Sequence, residues 1–194
     1  MPSIAKYTKE TFWALASKGV AFFFYYGLVF FLARKMTVEI WGDWSAFLAL
    51  LNIIILTSEQ GINTASKRYI AQARDTPGLG GVIRTTFLLR VGASLLYTLA
   101  IAFLIRPLLV WLRQPEYVAL MQQSLVLVAL YGVMDYFKNL FEALHRLRFT
   151  FIINLLEHGF KLLLVVALFH GGVQFVAITV AFTIAIAIAL AAGV

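Results

Sequence analysis

The chain contains no cysteine, which removes disulfides, thiolate nucleophiles and cysteine-ligated metal from consideration and leaves no redox compartment to read. Charge is also scarce. Of 194 residues 13% are charged and 62% hydrophobic, whereas a soluble domain carries about 25% charged and about 45–50% apolar residues. No soluble fold of this length can bury that much apolar surface, so the solvent must be lipid. Mean hydropathy of +0.89 says the same. Enzyme motifs are lacking too. The stretch DTPGLGG (75–81) has glycines but neither the following Lys-Ser/Thr nor a preceding strand that a phosphate loop needs, and it reads as a connector. His145, His158 and His170 have no ligand spacing, no Ser/His/Asp arrangement is evident and no internal repeat is visible. No catalytic residue and no metal site are assigned.

What is present is a series of long apolar runs. A membrane-crossing helix needs roughly 20 mostly apolar residues, and six stretches qualify, at about 11–33, 44–66, 82–105, 117–143, 149–170 and 173–194. Phe22-Phe23-Phe24 and Ile53-Ile54-Ile55 do not alternate, as a β-barrel strand would require. The fold expected is therefore an all-α integral membrane protein of six transmembrane helices. The first run is too long for a signal-peptide core and lacks a small-x-small cleavage site, so it is read as a retained span. Trp41, Trp44 and Trp111 fall in or beside connectors, where interfacial aromatics belong.

The 16 Lys+Arg exceed the 9 Asp+Glu, and topology explains that excess better than nucleic acid does. With the N-terminus inside, Lys6, Lys9, Lys67, Arg68, Arg74, Arg84, Lys138, Arg146 and Arg148 are cytoplasmic, against Arg34, Lys35, Arg106 and Arg113 outside; the positive-inside rule then favours a cytoplasmic N-terminus in a plasma membrane. The last run ends without a basic stop or polar tail, which reads as a chain cut before a further lobe.

The polar residues within the runs are not scattered. On a helical wheel Ser45, Asn52, Glu59, Asn63 and Ser66 form one stripe on the second run. Asn154, Glu157, His158 and Lys161, at i, i+3, i+4 and i+7, share one face of the fifth, with Lys161 near mid-depth. The fourth carries Ser124, Tyr131, Asp135, Lys138, Asn139 and Glu142, the first Lys18, and the third Arg90. An ionisable group at the bilayer centre costs about 2.5–3.5 kcal/mol or more and usually faces a bundle interior or wet cavity. Five of six helices carry such a face, which implies a shared hydrophilic interior. Cations there (Lys18, Arg90, Lys161) could hold an anionic substrate, and Asn52, Glu59, Asn63, Asp135, Asn154, Glu157 and His158 would be polar cavity or coupling groups for Na⁺ or H⁺. Each also has a plainer reading: Lys18 and Arg90 snorkelling to the surface, Glu157 and Lys161 neutralising one another at i,i+4, Glu59 bonding a neighbouring helix. The sixth run is purely apolar but for Thr179 and Thr183 and is expected to pack toward lipid.

LARKMTVEIWGDWSAFLALL (32–51) and EQGINTASKRYIAQ (59–72), following a basic N-terminus and Lys18, resemble the start of the polysaccharide (O-antigen type) flippases of the multidrug/oligosaccharidyl-lipid/polysaccharide exporter superfamily. Motif-level similarity covers about residues 13–72, and helix count and loop rhythm extend it over the chain. The resemblance implies 12 to 14 helices in two lobes, this chain being the N-terminal one. It also implies transport of an undecaprenyl-diphosphate-linked oligosaccharide between leaflets of the bacterial inner membrane, by alternating access, with no enzyme activity. By position, Lys18, Glu59, Gly61 and Arg68 match the family pattern. The interior inventory of Lys18, Arg90, Lys138 and Lys161 against Glu59, Asp135, Glu142 and Glu157 sums to zero, whereas relatives tend to a cationic cavity. A cation-coupled drug antiporter of the same superfamily and a six-helix structural or assembly subunit are the alternative readings.

Overall fold

A computed structural model describes residues 4–59, 61–168 and 175–193. All regular structure in those residues is helical. In chain order the helices are α1 (Ile4–Lys35), α2 (Val38–Ser58), α3 (Ile62–Ala73), α4 (Leu79–Trp111), α5 (Val118–Ala143), α6 (Leu147–Leu168) and α7 (Phe175–Gly193), with a 3₁₀ turn, Pro115–Tyr117, before α5. Among the described residues five stretches are long and apolar enough to cross a membrane: Thr8–Lys35, Val38–Ser58, Leu79–Trp111, Pro115–Ala143 and Leu147–Ala167. A sixth apolar stretch, Ile178–Ala189, is shorter. This is an all-α membrane protein of about six helices, as the hydropathy predicted. The expected connector at 170–172 lies outside the described residues.

Local chemistry sets the helix ends. Thr37 opens α2 in extended backbone, its Oγ1 accepting from the Ile40 amide at 3.4 Å. Two helices close without glycine. After α5, His145 adopts φ 52°, so its amide reaches the Glu142 carbonyl at 3.0 Å while the Arg146 amide reaches the Phe141 carbonyl at 2.8 Å. Arg113 (φ 58°) does the same after α4, with Arg113 to Val110 at 3.0 Å and Gln114 to Leu109 at 2.8 Å. Both are Schellman closures that satisfy orphan carbonyls. Each accepts the roughly 1–2 kcal/mol cost of a left-handed non-glycine residue.

The helix α5 is the hub. It packs against α2, α3, α4, α6 and α7, while α1 packs along α6. The main core joins Leu28 and Leu32 of α1, Trp44, Phe47 and Leu51 of α2, Met121, Leu127 and Met134 of α5, and Ile153 and Val165 of α6. A smaller core gathers Ile70 of α3 with Tyr136, Leu140 and Ala143 of α5. Phe22, Phe23, Leu56, Leu96 and Phe103 lie well exposed on the outer surface, as suits helices solvated by hydrocarbon.

Two expectations are corrected. The second run does not continue as one helix to 66. It stops at Ser58, Gly61 turns the backbone with φ +72°, and α3 sets off as a separate 12-residue helix. Glycine alone takes that conformation freely. The polar stripe from Ser45 to Ser66 is therefore split between two helices. The Ser45 hydroxyl donates to the Trp41 carbonyl of its own helix at 2.7 Å, whereas Asn63 and Ser66 are buried on α3. The sixth run does not simply face lipid either. Ala181, Ala185 and Ala189 are fully buried at i, i+4 and i+8, and α7 packs on α5 and α6. Without a hydrophobic driving force between helices in lipid, small side chains that permit close approach take over.

Candidate functional site

The interior charges converge on Glu157. Its carboxylate is completely buried on α6. The Lys161 ammonium, one turn along, donates to Oε1 at 2.5 Å, and Lys138 of α5 donates to Oε2 at 2.7 Å. The Tyr131 hydroxyl donates to Oε1 at 3.0 Å. His158 Nε2 stands 4.0 Å from Oε2. An isolated carboxylate in this setting would be costly by many kcal/mol, and three donors are what make the burial tolerable. Lys161 is itself 94% buried, with its ammonium 5.1 Å from the Tyr131 ring centre and 5.2 Å from that of Phe182. Aromatic faces supplement its single carboxylate partner.

Two cavities lie on either side of this cluster. The first, of about 190 Å³, is walled by α1, α2, α5, α6 and α7 toward the 36–37 turn. Its lining is aromatic and aliphatic, including Phe24, Tyr25, Trp41 and Trp44, with Asn52, Tyr131, His158 and Lys161 as its polar members. The second, of about 290 Å³, lies between α1, α5 and α6 toward the 144–146 turn and is polar. Ser17 and Lys18 of α1, Asp135, Lys138, Asn139 and Glu142 of α5, and Thr150 and Asn154 of α6 line it. Across its edge Asn154 donates to Ser17 Oγ at 2.8 Å, and the Glu10 carboxylate accepts from the Leu147 amide at 3.0 Å, tying α1 to the start of α6.

A second polar centre holds the α2–α3 break. Arg90 of α4 is 99% buried. Its guanidinium donates to the Ser58 carbonyl at 2.9 Å, the Glu59 carbonyl at 3.4 Å and the Gly132 carbonyl at 3.1 Å. The Ser58 carbonyl lies at the end of α2, where a fixed fork of donors with a permanent charge suits the negative helix end; the Glu59 carbonyl also accepts from the Ile62 amide at 3.0 Å, and Gly132 lies inside α5. Close by, Asn63 donates to Asp135 Oδ2 at 2.6 Å, Asn139 donates to the Asp135 carbonyl at 2.8 Å, and Lys67 pairs with Glu142.

The predicted residues thus divide. Lys161, Asn52 and His158 face the first cavity; Lys18, Asp135 and Asn154 face the second. Glu157 joins them from between. Arg90 is in neither cavity lining, and the hydrogen bond it makes to Glu59 is to the backbone carbonyl. Asn63 supports Asp135 from behind. Two contributors were outside the predicted site. Lys138 shares α5 with Tyr131 at a spacing of seven, a same-face signal that marked it as interior without revealing its partner. Tyr131 reads as a polar point on an apolar helix, and its role appears only with α6 beside it.

The chain matches the family described as Polysaccharide biosynthesis protein over residues 7–194. Neither the curated proteins nor the solved structures provide a match. The family match spans nearly the whole chain, and the chain belongs to that family.

Proposed function

We propose that this member of the polysaccharide biosynthesis family is a transporter rather than an enzyme. In this reading it moves a polyprenyl-diphosphate-linked oligosaccharide from the inner to the outer leaflet of the bacterial inner membrane, with its N-terminus in the cytoplasm. The observation that carries the reading is the pairing of two internal cavities with a buried cluster of one carboxylate and two ammonium groups between them. A purely structural bundle has little use for such a cluster, because apolar side chains of similar volume would pack as well or better. Two cations on one carboxylate leave a formal excess of +1, suited to a diphosphate or acidic sugar. Aromatic walls suit the faces of sugar rings or a polyprenyl tail. Alternating access would rock this six-helix lobe against a second one. Asp135 and Glu157 would be the sites through which H⁺ or Na⁺ couples to that motion, with Asn52, Asn63, Asn154, His158 and Glu59 as polar support.

The full pairing of Glu157 supports a second reading, a structural or assembly subunit whose ion pairs are static. Export separates the two. In a host lacking the gene, surface polysaccharide should fall and lipid-linked oligosaccharide should accumulate facing the cytoplasm. The wild-type gene should restore export, and Lys161→Met should not, despite membrane levels equal to wild type. Full export by Lys161→Met and Lys138→Met would place these residues outside the transport path.

A further inference from the structure

Glu157 lines neither cavity, yet each of its two lysines lines a different one. Lys161 belongs to the first cavity and Lys138 to the second, and the two linings share no residue. The axial order follows from the helices. On α6 Asn154 is in the second cavity and His158 and Lys161 are in the first. On α5 Leu127 and Tyr131 are in the first, and Asp135, Lys138, Asn139 and Glu142 in the second. Both helices therefore pass from one cavity to the other across the level of Glu157. The carboxylate holds one lysine on each oxygen, at 2.5 Å and 2.7 Å.

One negative charge cannot neutralise two ammonium groups. Whichever lysine turns toward an anion in its own cavity leaves Glu157 still paired with the other, so no buried charge is stranded. We propose that the two cavities are successive subsites for one anionic group, and that Glu157 passes between Lys138 and Lys161 as that group moves. The ligand chemistry is a phosphate or carboxylate anion, and on the flippase reading, on which the substrate class rests, it is the diphosphate bridge or an acidic sugar. The second cavity is the weaker subsite. Its Lys18 and Lys138 face Asp135 and Glu142, although Asp135 accepts from Asn63 and Glu142 is engaged by Lys67 from outside the lining. The first cavity has Lys161 opposite no acid in its lining.

The absence of native cysteine supplies the test. Single cysteines at Asn52→Cys (first cavity) and Ala14→Cys (second) are introduced into the full protein in lipid nanodiscs, where both faces are accessible. Their reaction rates with an anionic methanethiosulfonate are measured with inorganic pyrophosphate, with glucuronate, or with neither. Protection of both cysteines by pyrophosphate assigns the diphosphate, and protection by glucuronate assigns an acidic sugar. Adding Lys161→Met should abolish protection at Asn52→Cys and spare Ala14→Cys, and Lys138→Met should do the reverse, each changing the affected rate about tenfold, as one lost charge contact of about 1.4 kcal/mol would. Both lysine variants keep one ammonium on Glu157, and Val29→Cys with Asn154→Cys provides a second reporter pair should either first reporter fold poorly. Loss of protection at both cavities from one lysine substitution would mean a single site and overturn the inference, as would no protection by either anion. Labelling does not depend on export, so a deletion strain with normal surface polysaccharide would sink the flippase reading while leaving the two-subsite result standing, and the converse holds.

Discussion

Lys161 lies one helical turn beyond Glu157 with its ammonium 2.5 Å from Oε1, and this contact joins two of the three charges that meet at the Glu157 carboxylate. Lys138 completes the carboxylate from α5, and Asp135, one turn before Lys138 on that helix, is held separately by Asn63. The bundle is thus organised around charges that are paired across helices, and those pairs fix how α5 and α6 sit against one another.

Removing the shared carboxylate should be worse than removing the whole cluster. Glu157→Gln strands two ammonium groups in an apolar interior and should lower unfolding stability by about 3–5 kcal/mol. Replacing the set together, Glu157→Leu with Lys138→Met and Lys161→Met, should return most of that stability, since apolar side chains of similar volume replace a buried ion group at little cost. Thermal unfolding in detergent measures both. A triple variant less stable than the single one would contradict this account of the cluster.

Tyr131→Phe probes the third donor. The ring, which packs against the Lys161 ammonium, is retained, and only the hydroxyl bond to Glu157 is lost. A hydrogen bond to a charged group contributes about 1.5–3 kcal/mol, so stability should fall by that amount and no more. Tyr131→Leu should lose further, because the ring face at 5.1 Å from Lys161 goes as well. The difference between the two variants reads the ring contact directly.

The sequence disclosed some of this and concealed the rest for identifiable reasons. The approximate number of membrane spans and the interior side of α6 follow from run length and from the i, i+3, i+4, i+7 spacing of Asn154 to Lys161, because each depends on one segment at a time. The partner of Glu157 on α5 depends on how two helices cross, which no one-dimensional spacing encodes. The wheel for residues 45–66 assumed one continuous helix, and Gly61 breaks that assumption two residues after Glu59. Arg90, a candidate cavity cation by its depth, instead binds the Ser58 and Glu59 carbonyls at this break and the Gly132 carbonyl of α5. Hydropathy also ranked the alanines of α7 as lipid-compatible without distinguishing a lipid neighbour from a packed helix, and Ala181, Ala185 and Ala189 prove to be interface.

At the break itself, Arg90→Lys should be a damaging exchange despite keeping the charge. Lysine has no planar fork, and it cannot serve the Ser58, Glu59 and Gly132 carbonyls at their present spacing. The Ser58 carbonyl at the end of α2 then loses its donor, at a cost of about 1–3 kcal/mol, whereas the Glu59 carbonyl keeps the Ile62 amide. Hydrogen exchange at the amides of 58–66 should accelerate in Arg90→Lys, while exchange in α6 stays near wild type. Uniform acceleration across all helices would mean that Arg90 supports the whole bundle and not this junction in particular.

Gly132 is the counterpart of that demand on the α5 side. A methyl group at this position would stand 2.6 Å from Ser94 Oγ and 2.9 Å from Arg90 Nη2. The serine can yield, since its buried hydroxyl has no hydrogen-bond partner among the described residues. The guanidinium cannot, because it is held by three carbonyls. Gly132→Ala should therefore destabilise by about 1–3 kcal/mol, the usual cost of overpacking a close interface. Adding Ser94→Ala should recover part of this loss by removing the nearer obstacle, and Ser94→Ala alone should be almost neutral because the hydroxyl it deletes makes no bond. The remaining deficit in the double variant measures the Arg90 contact. If Ser94→Ala restored Gly132→Ala fully, the guanidinium would be freer than its three bonds imply, and Arg90 could not be the rigid cap of α2 that its geometry indicates.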